Sequence, residues 1–487
     1  MAENIENTSR SAAWREELRK AMPAKERTAI PRVAMPTLDP AYRITCNEEV
    51  NRGLSAEQAV IEATRCLDCP EPTCVQGCPV NIAIPDFVKN IQRGNFAEAA
   101  AVLHSSSALP AVCGRVCPQE KQCESKCIYN KMKKAPVAIG YLERFAADYE
   151  IEHGAAAAPA AEPNGIKVAV AGSGPAGLSF AGDMARMGFE VHVFEALHEI
   201  GGVLKYGIPE FRLPNAIVDK QLDGLRAAGV RFHKNTIIGK TFSYDRLLDE
   251  GFRGIFVASG AGLPRFMGIP GENLNGVLSS NEYLTRINLM GAGRDGHDTP
   301  APCGRRIAVV GGGNTAMDSV RTALRMGAEK AMIIYRRSEA EMPARVEEVR
   351  HAKEEGVEFL TLCNPVEYLG DESGRVRAVR VQRMELGEPD ASGRRSPQPV
   401  PGAIDEIEID LAVVSIGVSP NPLIPNSIDG LDLTARGTIA TDEHLQSSIP
   451  AVFAGGDIVR GGATVILAMS DGRKAAAEMA KKLLADD

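Results

Sequence analysis

Over the first 150 or so positions, apolar residues recur three and four apart in "SAEQAVIEATRC", "IPDFVKNIQRGNFAEAAAVLH" and "AIGYLERFAADYEIE", and strands do not alternate with helices. This pattern predicts a helical domain over residues 1–152. The next stretch, "HGAAAAPAAEPNG", residues 153–165, has no core periodicity and is rich in Ala, Pro and Gly, which predicts a linker. A different pattern follows. "KVAVAGSGPAGLSFAGDMARMGFEVHVFEA" reads as a buried strand, a glycine turn, a helix and a second strand, and "RIAVVGGGNTAMDSVRTALRMGAEKAMIIYRR" repeats that unit. "GIFVASGAG" and "DLAVVSIGVSPN" are apolar strands ending in small residues, as expected where the chain crosses between two such units. The segment "AVFAGGDIVRGGATVILAMSDGRKAAAEMAKKL" adds a strand, a glycine turn and a long closing helix. The predicted class is therefore α/β, with a helical amino-terminal domain and two Rossmann-like units.

Charge and composition narrow the partners. The 487 residues are 44% hydrophobic and carry a net charge of −8, which argues against nucleic acid and anionic membrane, since both favour a basic face. No apolar run approaches the ~18 residues of a membrane-spanning helix. The start, "MAENIENTSRSAAWREELRK", is polar and helical rather than a leader, so a cytoplasmic protein is expected. Of 11 cysteines, eight fall between Cys66 and Cys127; a small disulfide scaffold would not carry the long α/β region that follows, so reduced, metal-binding thiols are expected.

The glycine turns carry the first candidate chemistry. Gly172, Gly174 and Gly177 follow the strand "KVAVA" and open a helix, where backbone can approach a pyrophosphate. Glu195 ends the next strand, where a carboxylate accepts hydrogen bonds from a ribose diol. In the second unit Gly311, Gly313, Asn314 and Thr315 form the equivalent turn, with Ala316 at the third glycine's place. Its next strand ends in Arg336 and Arg337 instead of a carboxylate. Guanidinium groups pair with a 2′-phosphate that a carboxylate would repel. The order expected is thus FAD, then NADPH. These motifs and the later "GGD" resemble flavin-dependent pyridine-nucleotide disulfide oxidoreductases, with one departure: neither unit holds a redox Cys pair. Cys303 and Cys363 are read as small buried residues.

The cysteines carry the second. "RCLDCPEPTCVQGCP" spaces Cys66, Cys69, Cys74 and Cys78 as C-x2-C-x4-C-x3-C-P, close to the ferredoxin run in which the fourth thiolate serves another cluster. "CGRVCPQEKQCESKC" adds Cys113, Cys117, Cys123 and Cys127. A zinc site more often shows two C-x2-C pairs across a longer loop. Eight thiols suffice for two [4Fe-4S] clusters.

Together, "RCLDCPEPTCVQGCPV", "LPAVCGRVCPQEKQCESKC", "PVAIGYLERF", "GGVLKYGIPEFRLP" and the two dinucleotide motifs resemble the small (beta) subunit of NADPH-dependent glutamate synthase. They resemble equally the large subunit of NADH-dependent ferredoxin:NADP+ oxidoreductase and, more distantly, the amino-terminal half of dihydropyrimidine dehydrogenase. The resemblance implies that Cys66, Cys69, Cys74 and Cys127 hold one cluster and that Cys78, Cys117, Cys123 and Glu143 hold the other, leaving Cys113 spare; residue types alone would favour Cys113 over Glu143. It implies a nucleotide domain over 285–415 inserted in a flavin domain of 166–284 and 416–487. Gly202, Leu204 and Arg212 are then expected at the flavin, with Asp457 and Thr464 toward its ribityl–pyrophosphate end.

Electron counting sets the expected reaction: a hydride passes from NADPH to FAD, and single electrons then leave through the clusters. No side chain need act as acid or base. Residue 2 is Ala, and no length remains for an FMN barrel, so glutamate synthesis would need a second subunit. The expected assembly is a hetero-oligomer with either a glutamate synthase large subunit or a ferredoxin-reductase-like subunit. A zinc-bearing, non-catalytic nucleotide-binding scaffold is the remote alternative.

Overall fold

A computed structural model describes residues 9–154, 161–391 and 393–485. Part of the expected linker, 155–160, and the first eight residues lie outside that range. The amino-terminal domain is built on helices Ala56–Thr64, Ile84–Gln92, Phe96–His104 and Ile139–His153. Phe87, Val88, Ile91, Leu103, Leu142 and Ala146 are buried between them. The apolar pattern over 84–104 reads as one helix, but it is two. The chain reverses at Gly94 (φ +79°), and Asn95 caps the next helix by accepting from the Glu98 N–H at 3.3 Å.

Cys113 lies in the helix Pro110–Val116, and the rest of the two cysteine runs are loops and single turns. They approach so closely at Gly77 that a Cβ there would lie 2.9 Å from both the Gln122 carbonyl oxygen and the Lys126 side chain. Thr73 Oγ1 donates to the Lys126 carbonyl at 2.6 Å, tying the runs together.

Two parallel sheets follow. The first orders its strands as Val452–Ala454, Phe252–Val257, Lys167–Ala171, Glu190–Phe194 and Arg231–His233. The second runs Val277–Ser279, Leu411–Val414, Arg306–Val310, Lys330–Tyr335 and Glu358–Thr361. After a charged residue at or near their starts, Lys167, Arg253 and Arg306, the central strands Lys167–Ala171, Phe252–Val257 and Arg306–Val310 are apolar and buried, as parallel strands covered on both faces must be. The first sheet takes its edge strand from residues beyond the whole of the second, so the second unit is inserted within the first. Val277–Ser279 joins the second sheet ahead of residue 285; three residues carry too little periodicity to be assigned to a sheet from sequence. The crossings meet each other, Leu263–Pro264 pairing antiparallel with Val418–Ser419. A three-stranded antiparallel sheet, including the long hairpin Val376–Pro389 and Arg395–Glu408, flanks the second unit. Among the described residues, no helix is long and apolar enough to cross a membrane.

Candidate functional site

The two units face each other across a cleft of about 2680 Å³ whose walls include both glycine turns. On the first side, the strand Lys167–Ala171 delivers Gly172 and Gly174 to the start of helix Pro175–Arg186. A Cβ at Gly177 would lie 2.1 Å from the Gly172 carbonyl oxygen, so this helix can sit against its strand only with glycine there. Glu195 is buried and fixed: it accepts from the Ser173 N–H at 3.0 Å, the Ser173 hydroxyl at 2.5 Å and the Leu197 N–H at 2.8 Å. Gly202, Asp457 and Thr464 all reach the cleft wall. Asp457 accepts from the Ala463 N–H at 3.1 Å, and burial raises its carboxyl to about 6. Thr464 immediately precedes the 21-residue helix Val465–Ala485, whose N-terminal dipole therefore points at the cleft.

Two expected flavin residues sit differently. Leu204 is fully buried in the core, and its neighbours Gly202, Val203 and Tyr206 line the wall instead. Arg212 lines the cleft but spends its charge on Asp318, at 2.7 Å, which belongs to the second unit's helix Asn314–Arg325. Sequence reasoning also missed Asp471. From the closing helix it accepts from the Gly456 N–H at 2.9 Å and from Arg460 Nε at 2.6 Å, fixing the turn that presents Asp457. The only signal was an acid inside an apolar helical stretch.

On the second side, Gly311, Gly313, Asn314 and Thr315 line the cleft. Asn314 Oδ1 accepts from the Arg345 N–H at 2.8 Å. The arginine pair is asymmetric. Arg336 is exposed at the wall, whereas Arg337 is buried, pairs with Asp390 and donates to the Arg395 carbonyl at 2.8 Å. Arg394 reaches the same wall from the hairpin turn, some sixty residues away in sequence and invisible to a motif search. Cys363 is buried, as expected, and Cys303 is not: it is exposed, because its loop lies outside both sheets.

All eleven cysteines are free thiols. Cys66, Cys69, Cys74 and Cys127 form one group: burial, then the charges of Cys66, Cys127 and Cys69, push the Cys74 thiol far up. Cys78, Cys117, Cys123 and Glu143 form a second, with Cys113 beside them. Burial pushes Cys78 up to about 11 and Glu143 up to about 8, and Glu143 Oε1 has no hydrogen-bond partner. Among the described residues, no three such donors are placed to hold a single metal ion. Gathered free thiols, in the second group beside an orphaned buried carboxyl, are the donor set a cationic centre would deprotonate and satisfy. Each group therefore fits an iron–sulfur cluster.

The second group adjoins the cleft. Val116 and Pro118, on either side of Cys117, line the cleft wall. The Cys113 sulfur lies 3.5 Å from that of Met469, and the Ser470 hydroxyl donates to the Pro79 carbonyl at 2.9 Å, both partners sitting on the closing helix. The first group is partly exposed. The thiols beside the cleft, Cys78, Cys117 and Cys123, are buried.

Comparison with known proteins finds two families along the chain. Residues 43–155 fit the family described as dihydropyrimidine dehydrogenase domain II, 4Fe-4S cluster, and residues 166–472 fit pyridine nucleotide-disulphide oxidoreductase. The chain is 37% identical over 437 residues to the glutamate synthase [NADPH] small chain of Azospirillum brasilense, covering 88% of this chain and 90% of that one. It is 38% identical over 429 residues to the NADP(+)-dependent formate dehydrogenase subunit beta of Moorella thermoacetica, covering 83% of this chain and 59% of that one. Mycobacterium tuberculosis FprA, solved with NADPH, shares the fold, with a TM-score of 0.56 and 20% identity over 66% of this chain and 85% of that one. At 37% identity over 88% of its own length and 90% of the relative's, the chain belongs to the glutamate synthase small-chain family, and in it the 4Fe-4S family match precedes the pyridine nucleotide-disulphide oxidoreductase match.

Proposed function

We propose that this oxidoreductase takes electrons from NADPH and passes them to a partner subunit, as the small subunit of glutamate synthase. The observation that carries the reading is the contact of the second cysteine group with the cleft, through Val116 and Pro118. Bound FAD would accept a hydride and release electrons singly, which two [4Fe-4S] clusters can take. The chain's own residues bind and orient. The turn at Gly172 and Gly174, with Glu195 fixed behind it, suits the flavin's pyrophosphate and ribose; Gly202, Asp457 and Thr464 suit its inner end. Gly311, Gly313, Asn314 and Thr315 suit the pyrophosphate of NADPH, with Arg336 and Arg337 toward the 2′-phosphate. Cys66, Cys69, Cys74 and Cys127 would hold one cluster, and Cys78, Cys117, Cys123 and Glu143 the other.

Anaerobically purified protein should contain about eight iron and about eight acid-labile sulfide per chain, and NADPH should bleach the flavin and the clusters together. Stoichiometric zinc without sulfide overturns the reading. Gly177→Ala should lose most of its bound flavin while keeping its iron, because a Cβ only 2.1 Å from the Gly172 oxygen forces the turn open; flavin and iron per chain, measured on one sample, decide it.

The similarity to a formate dehydrogenase subunit favours a second reading, in which the electrons go to a different oxidoreductase subunit. Mixing the purified protein with a glutamate synthase large subunit, glutamine and 2-oxoglutarate separates the two. Glutamate formed at the expense of NADPH supports the first reading, and cluster reduction without glutamate supports the second.

A further inference from the structure

Arg345 belongs by sequence to the second nucleotide unit, between the turn Glu339–Glu341 and the helix Val346–Glu354. Its side chain lies elsewhere. It is 4% exposed, and its guanidinium donates to the Arg115 carbonyl and to Gln119 Oε1, each at 2.8 Å. Those residues stand two positions on either side of Cys117. Gln119 in turn donates to the carbonyls of Cys113, at 3.4 Å, and Gly114, at 3.3 Å. The Arg345 Nε is buried without a hydrogen-bond partner. The backbone of the same segment grips the nucleotide turn: the Arg345 N–H donates to Asn314 Oδ1 at 2.8 Å and the Ala344 N–H to the Gly312 carbonyl at 3.1 Å. The carboxylates paired with the guanidinium are Glu347, at 3.2 Å, and Glu120, at 3.7 Å, and the charge of Glu348 also acts on it.

We infer that Arg345 is a positioning residue shared by the nucleotide turn and the second cysteine group, and that it raises the reduction potential of the centre those ligands hold. The inference rests on the cluster reading proposed above. Reduction adds one negative charge to a buried centre, and a cation fixed beside it favours the reduced form. Replacing the cation also leaves the charges of Glu347 and Glu120 less compensated, which disfavours the reduced form further. Glu347→Gln removes a negative charge instead and must act in the opposite sense.

The test is a potentiometric titration of anaerobically purified protein, followed by electron paramagnetic resonance, with iron and sulfide counted on each sample. Arg345→Met should lower the reduced-to-oxidised ratio of the second centre at a given potential about tenfold, about 59 mV for one electron. Arg345→Lys, which keeps the charge but not the fork, should recover most of that, and Glu347→Gln should shift the ratio upward. The centre held by Cys66, Cys69, Cys74 and Cys127 serves as internal control and should not move. Full iron with an unshifted second centre in Arg345→Met, or equal shifts at both centres, overturns the inference and leaves the cluster reading standing. If Arg345→Met does not load iron, an unchanged or lowered potential in Glu347→Gln overturns it. Absence of iron and sulfide from the wild type overturns both.

Discussion

Glu143→Ala protein is expected to lose the centre formed with Cys78, Cys117 and Cys123, or to hold it in an altered form, while Cys113→Ser keeps both centres. Thiol count alone points the other way, since Cys113 is a buried thiol beside Cys117. The decisive difference is satisfaction. Cys113 packs against the Met469 sulfur and behaves as a small apolar side chain. Glu143 is buried on the helix Ile139–His153 with Oε1 unpartnered, a situation that costs about 1–3 kcal/mol unless something binds there. The same burial gives a second readout. In metal-free protein the Glu143 carboxyl holds its proton up to about 8, against an ordinary 4.5. The folded state therefore binds the extra proton, and this group's contribution to stability falls as pH rises from about 4.5 to about 8. Glu143→Gln should flatten that slope in the metal-free protein. Iron per chain and the number of resolved resonance signals check the first expectation. Loss of a centre in Cys113→Ser, with Glu143→Ala fully loaded, would reverse the assignment.

How much of this was legible in the sequence follows from the range of the forces involved. The glycine turns and the strand–helix alternation are local, set by backbone clearance and by burial with a period of 2 or 3.6, and they appear at Gly172, Gly177 and Gly311 with no tertiary information. The cysteine runs are nearly as local. Family resemblance supplied the sorting of their thiols into two groups, and folding does bring Cys127 back to Cys66, Cys69 and Cys74. What could not be read is the joint between domains. Arg43 donates to Glu355 at 2.7 Å across 312 positions, and Glu355 also accepts from Arg321, at 2.8 Å, and Arg325, at 2.9 Å. Burial works to raise the Glu355 carboxyl, but these guanidinium groups prevail and hold it well below the usual carboxylate range. Removing one member of such a buried set leaves an uncompensated charge. The bonds of Arg212 to Asp318 and of Arg345 to Arg115 belong to the same joint. Charged residues in helices read as solvated faces, and nothing in their spacing says that another domain will cover them.

The asymmetry of Arg336 and Arg337 changes what nucleotide selectivity should depend on. Both stand where a ribose-binding carboxylate would exclude a phosphate, yet Arg337 is committed to Asp390 and to the Arg395 carbonyl, while Arg336 is exposed at the cleft wall, which Arg394 also lines. A charge-assisted hydrogen bond is worth about 1.5–3 kcal/mol, roughly ten- to a hundred-fold in binding at ~1.4 kcal/mol per decade. The wild type is therefore expected to reduce an artificial acceptor with NADPH at least about tenfold more efficiently than with NADH, by kcat/KM. Arg336→Ala should remove most of that ratio, and Arg336→Ala combined with Arg394→Ala nearly all of it. Arg337→Ala should lower affinity for both nucleotides, because it frees the hairpin that Asp390 and Arg395 anchor. The Arg336 effect should fall on the KM for NADPH, with kcat little altered, since the 2′-phosphate is remote from the transferred hydride and its binding energy is felt alike in ground and transition states. Steady-state kinetics with both nucleotides on the four proteins checks this. A wild type that prefers NADH, or an Arg336→Ala, Arg394→Ala double variant that keeps the NADPH preference, would show that these guanidinium groups do not read the 2′-phosphate.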